Sequence, residues 1–145
     1  MSKSNVFEND LLALIFTNVA IADIGDVAGL RASTAAGSLY WALYTADPGE
    51  AGTAVTSETA YTGYARVAAV RGAGFTVTAN SVSPPANVDF PECTAVPGTA
   101  ITHFGIVNTA SGAGKLLYKG TMTPNVAMAV GVIARIKTTS TITED

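Results

Sequence analysis

The chain has 145 residues, a length that suits one domain with one buried core, without metals or disulfide staples. Only 13% of its residues are charged, the net charge is −3, and the eight basic residues are scattered, so no cationic face for nucleic acid is indicated. A single cysteine, Cys93, excludes an intrachain disulfide and fits folding in a reducing cytosol.

Taken in chain order, "SNVFENDLLALIFTN" reads as an amphipathic helix with Phe7, Leu11, and Leu14 or Ile15 recurring at helical spacing. Asn5 followed by Glu8 has the form of a capping box, and Glu8 and Asp10 suit the positive end of the helix dipole. The apolar region Leu11 to Ile24 is interrupted by Thr17, Asn18 and Asp23 and is too short and polar for a membrane span. No basic segment leads into it, so a signal peptide is not expected. Gly25 and Gly29 break the helical pattern, with a short helical turn expected around Asp26 to Ala32.

From Ser38 the texture becomes β. "SLYWALYT" is apolar and aromatic on both faces, as in a covered strand, and it stops at the Asp47-Pro48-Gly49 turn. Further strands are expected at Tyr64–Arg71, Gly74–Ala79, "NVDFP", Ala100–Thr109, Lys115–Met122 and Gly131–Thr143. The expected fold is therefore mainly β: an antiparallel jelly roll or β-sandwich of seven to eight short strands with one N-terminal amphipathic helix. A single domain over 1–145 is expected, with a helical arm at 1–37 and the sandwich at 38–145. No internal repeat of solenoid or propeller period stands out.

Few residues offer chemistry. "NTASGAGKLLYKG" places Gly112, Gly114 and Lys115 together, yet Thr109 stands where a phosphate-binding loop needs glycine. Leu116 stands where that loop needs a hydroxyl, and a strand follows instead of a helix. A hairpin turned by its glycines is the expectation, with no nucleotide bound. His103, the one histidine, lies mid-strand; with Asp89, Glu92 or Cys93 it would be the centre of any catalytic reading. One His and one Cys do not make a zinc site. Asp47, Glu50 and Glu58 share a loop but match no calcium template. Tyr40, Trp41, Tyr44, Tyr61 and Tyr64 form either a sugar-binding platform or a sandwich core with an interface rim. Scarce charge fits either a Ser/Thr/Asn/Gly-rich surface or one buried against other subunits.

The phrases "SLYWALYTADPGEAGT", "SETAYTGYARVAAVR", "VDFPECT", "ITHFGIVNTASGAGKLLYKG" and "TITED" resemble a family of small tailed-phage and prophage virion proteins, often described as tail-fibre-like. The likeness covers residues 37–145. It implies a structural protein of the phage particle, made in the host cytoplasm, without enzymatic activity or cofactor. The favoured expectation is a capsid decoration, or cement, protein on the capsid exterior. Its partners would be the major capsid protein and copies of itself, as a homodimer or homotrimer. One domain without fibre repeats, mild acidity and an N-terminal arm incline toward that reading. The alternative is a tail-fibre or baseplate component that binds host glycans through Tyr40, Trp41 or Tyr61. Candidate subunit contacts are Phe7, Leu11, Leu14 and Ile15 on the arm, and Asp47, Pro48, Tyr61 and Tyr64 on and after the long loop. Nucleic acid and membrane are not expected partners.

Overall fold

The computed structural model describes residues 2–144. Nine strands and one α-helix are found among them, with every strand pair whose register is defined antiparallel. The chain is thus mainly β, consistent with a β-sandwich. It divides into two units: residues 1–38, 69–87 and 137–145 form the first, and 39–68 and 88–136 the second.

In the first unit, α1 (Asn5–Leu12) starts one residue earlier than the capping-box reading: Ser4 is the N-cap, and its Oγ accepts from the Phe7 N–H at 3.4 Å. A π-helical turn over Ala13–Thr17 continues it and ends at Asn18 in the left-handed region. The buried side chains are Glu8, Leu12 and Phe16, one position round from the expected stripe. Phe7, Leu11, Leu14 and Ile15 are half-buried. Both stripes have helical spacing, and the pattern could not choose between them because the buried one begins with a glutamate. Phe16 meets the ring of Phe75 edge-on, centroids 4.9 Å apart.

Against this helix lie β3 (Thr76–Thr78) and β4 (Ser81–Ser83), which with β9 (Ile142–Thr143) form a three-stranded sheet in the order β3-β4-β9. No strand was expected at Ser81–Ser83, where two serines around one valine resemble a turn. The Asp26–Ala32 segment is not helical. Ile21 and Leu30 form a β-bridge, and Asp26 turns the chain between them.

The second unit holds most of a four-stranded sheet, ordered β2-β1-β6-β7, and a two-stranded ladder of β5 (Val88–Asp89) with β8 (Arg135–Ile136). Its strands are β1 (Ser38–Tyr44), β2 (Val67–Val70), β6 (Ile101–Val107) and β7 (Leu116–Val126). In β1 the run Trp41–Tyr44 is buried throughout, as two-sided apolar character demands, and Trp41 stands opposite Ile106. Gly105 is fixed by packing: a Cβ there would lie 2.7 Å from the Leu116 side chain and 2.8 Å from the Tyr118 carbonyl. The segment read as one strand from Gly131 to Thr143 is two, β8 and β9, which belong to different units.

Candidate functional site

Two loops of the second unit define its most organised region. One runs from Thr45 to Gly63 after β1; the other joins β6 to β7. The first begins as its sequence requires. Asp47 Oδ1 accepts from the Gly49 N–H at 2.9 Å, and Gly49 takes φ 74°. That hydrogen bond, and then Lys119 at 2.9 Å, holds the Asp47 carboxyl below its usual range. Lys119 also reaches Glu50 at 3.2 Å.

The second loop is closed by Asn108, whose Oδ1 accepts from the Lys115 N–H at 2.7 Å. Gly112 supplies the positive φ, 66°. Gly114 has a different role from the one expected, because it has no positive φ. A Cβ there would sit 2.3 Å from Thr109 Oγ1, so glycine is needed for close approach. The Gly114 carbonyl accepts from the Ala54 N–H at 3.0 Å, tying one loop to the other.

Arg66 joins the two loops. Its Nε and Nη2 meet the two oxygens of Glu58 at 2.6 and 2.7 Å. Its Nη1 donates to the Thr109 carbonyl and hydroxyl at 3.0 and 2.9 Å, and Nη2 donates to the carbonyls of Gly112 at 3.0 Å and Ala54 at 3.2 Å. The side chain is 2% exposed. The planar fork's five N–H groups serve six acceptors because the two hydrogens on Nη2 are shared among three of them. The Glu58 hydrogen bonds raise the Arg66 pKa further.

A phosphate cradle points N–H groups inward; here the carbonyl oxygens of Thr109 and Gly112 point at a guanidinium.

Tyrosines complete the surroundings. Tyr64 Oη donates to Glu58 at 2.8 Å and accepts from the Leu43 N–H at 3.1 Å. Burial pushes its phenol strongly up. Burial also pushes Tyr44 and Tyr61 up to about 12; their hydroxyls donate to Ala54 and Pro91 carbonyls at 3.2 and 2.8 Å. Beside them opens a groove of about 420 Å³, walled by Thr59, Ala60, Tyr61, Tyr64, Ala65 and Ala110 among others. Its charges, Glu58 and Arg66, are spent on each other and on the loops. Thr59 Oγ1 is buried with no hydrogen-bond partner among the described residues.

The remaining candidates are placed as follows. Asp47 is exposed, Pro48 and Tyr61 are buried in the chain, and Tyr64 is half-buried. The side chains of Pro48 and Tyr61 are therefore committed to the chain's own interior. Trp41, Tyr44 and Tyr61 are core residues, while Tyr40 and Tyr64 are half-buried. His103 Nδ1 bonds Thr102 Oγ1 at 2.8 Å, Asp89 pairs with Arg135, and Cys93 is buried with its thiol toward the Val96 carbonyl. Among the described residues no group of three or more His, Cys, Asp or Glu is disposed to hold a metal. No helix there is long and apolar enough to cross a membrane.

Sequence reasoning missed Arg66. Its only signal was an arginine amid short apolar residues in a charge-poor chain, with a glutamate eight positions before it.

The family model described as "Podophage GP4 fiber I protein gp80" matches residues 2–144, and the chain belongs to that family, one of phage virion structural proteins. No curated protein matches it.

Proposed function

We propose that this chain is a fibre component of a podophage particle, acting as a rigid, non-enzymatic module. The observation that carries the reading is the match to a fibre-protein family over nearly the whole chain. It favours the tail-fibre alternative over the capsid-cement reading, and the capsid exterior loses its support with it. The structure supplies a mechanical rationale. Long surface loops are normally mobile and easily cleaved. Here Arg66 fastens two of them through one buried side chain, which suits a protein that meets shear and proteases outside a cell.

Quantitative mass spectrometry of purified particles tests this. A fibre component is present in a small, fixed number of copies per particle, far below the major capsid protein. A copy number near that of the capsid protein overturns the reading in favour of cement.

A further inference from the structure

The loop that follows the π-helical turn in the first unit is fastened more firmly than a connector requires. Asn18 grips Ser33 twice: Nδ2 donates to the Ser33 carbonyl, and the Ser33 N–H donates to Oδ1, both at 2.9 Å. Within this neck Ile21 and Leu30 exchange backbone hydrogen bonds at 2.9 and 2.8 Å. Asp26 Oδ1 accepts from the N–H groups of Ala28 at 2.8 Å and Gly29 at 2.9 Å. The crossing is so tight that a Cβ on Gly29 would sit 1.9 Å from the Ile21 carbonyl oxygen. Asn18 and Asp23 are both held at φ 59°, a region most residues avoid.

The ordered loop turns aliphatic side chains into water. Val27 is 85% exposed and Val19 54%, with Ile24 and Leu30 also exposed. Preorganised apolar surface of this kind marks a contact site, since its ordering cost is already met before association.

Charge indicates what covers it. The Asp26 carboxylate is used by its own loop, whereas Asp23 and Arg31 make no ion pair or hydrogen bond among the described residues. One acid and one base remain on the loop that carries the apolar tip. A strongly acidic or basic partner would set like charge against one of them. A second copy of the same loop offers base to acid and acid to base, as a two-fold contact requires.

We propose that the Asn18–Ser33 loops of two copies of this chain pack on each other, aliphatic tip to aliphatic tip. Asp23 of each copy faces Arg31 of the other. The proposal goes beyond the fibre reading, and its failure would leave the particle copy number untouched.

Sedimentation velocity of the full chain over a concentration series tests it. The unmodified chain self-associates, and Val27→Asp weakens association by about tenfold or more. Circular dichroism and melting temperature stay unchanged, because so exposed a side chain contributes little to the fold. Asp23→Arg and Arg31→Asp each dissociate alone, and an equimolar mixture of the two associates again. A chain monomeric at every concentration, association indifferent to Val27→Asp, or a mixture that fails to recover would each overturn the proposal.

Discussion

The phrase "YTGYARVAAVR" carries two arginines five residues apart that organise different units by different means. Arg66, in the second unit, meets a carboxylate, Glu58, and three backbone carbonyls. Arg71, in the first, meets carbonyls and one hydroxyl. It donates to Ile15 at 2.6 Å and to Leu14, at the end of the helical segment, and to Ala36 and Ser33 Oγ at 3.2 Å. Its charge is balanced by the negative end of the helix, where carbonyls lack intrahelical partners. One arginine sits in a buried ion pair and the other caps a helix. Both gather segments distant in sequence, but removing each leaves a different debt.

The largest effect is expected from Arg66→Ala. It strands Glu58 and three inward carbonyls, and breaking a buried pair in this way costs about 3–5 kcal/mol. Chemical denaturation reads the loss, and hydrogen exchange should rise at residues 54–58 and 109–114. Arg71→Ala leaves carbonyls but no carboxylate behind, so about 1–3 kcal/mol is expected, with faster exchange at residues 13–17 and 33–37. Equal losses would erase the distinction drawn between the two arginines. Arg66→Lys sharpens it: a point charge does not reproduce a fork that bonds Glu58, Thr109, Gly112 and Ala54 together, so lysine should rescue Arg66 poorly.

Alkaline titration isolates the second unit, because all five tyrosines of the chain lie within it. Tyr44 and Tyr61 are pushed from 10.0 up to about 12. A phenol with a raised folded-state pKa holds its proton more tightly in the folded chain. Its contribution is intact below pH 10.0 and is lost as pH rises through about 12. Tyrosinate absorbance of the native chain should therefore lag that of the urea-unfolded chain. Coincident curves would mean that the tyrosines around Arg66 are not buried in solution. The smallest effect is expected from Lys119→Ala, since its pairs with Asp47 and Glu50 lie at the surface. The melting temperature should not move measurably at moderate salt.

How far the sequence reveals these features depends on whether a signal is local. Two-sided apolar character made β1 legible, and Asp47-Pro48-Gly49 announced its turn because the conformation is set by those residues alone. The hairpin at Asn108–Lys115 was legible for the same reason, though not the cause of its glycine at 114, which depends on Thr109 being held by Arg66. The buried face of α1 was hidden because Glu8 opens it. The roles of Arg66 and Arg71 were hidden because their acceptors lie up to 46 and 57 residues away in the chain. The division of the last segment between β8 and β9 is likewise a property of the units and not of the strand pattern.

The central claim is that this chain is a fibre component, and its position on the particle tests that most directly. Gold-labelled antibody against the purified chain, viewed by negative stain on intact podophage particles, should mark the fibres at the tail. Label spread over the capsid shell would contradict the account.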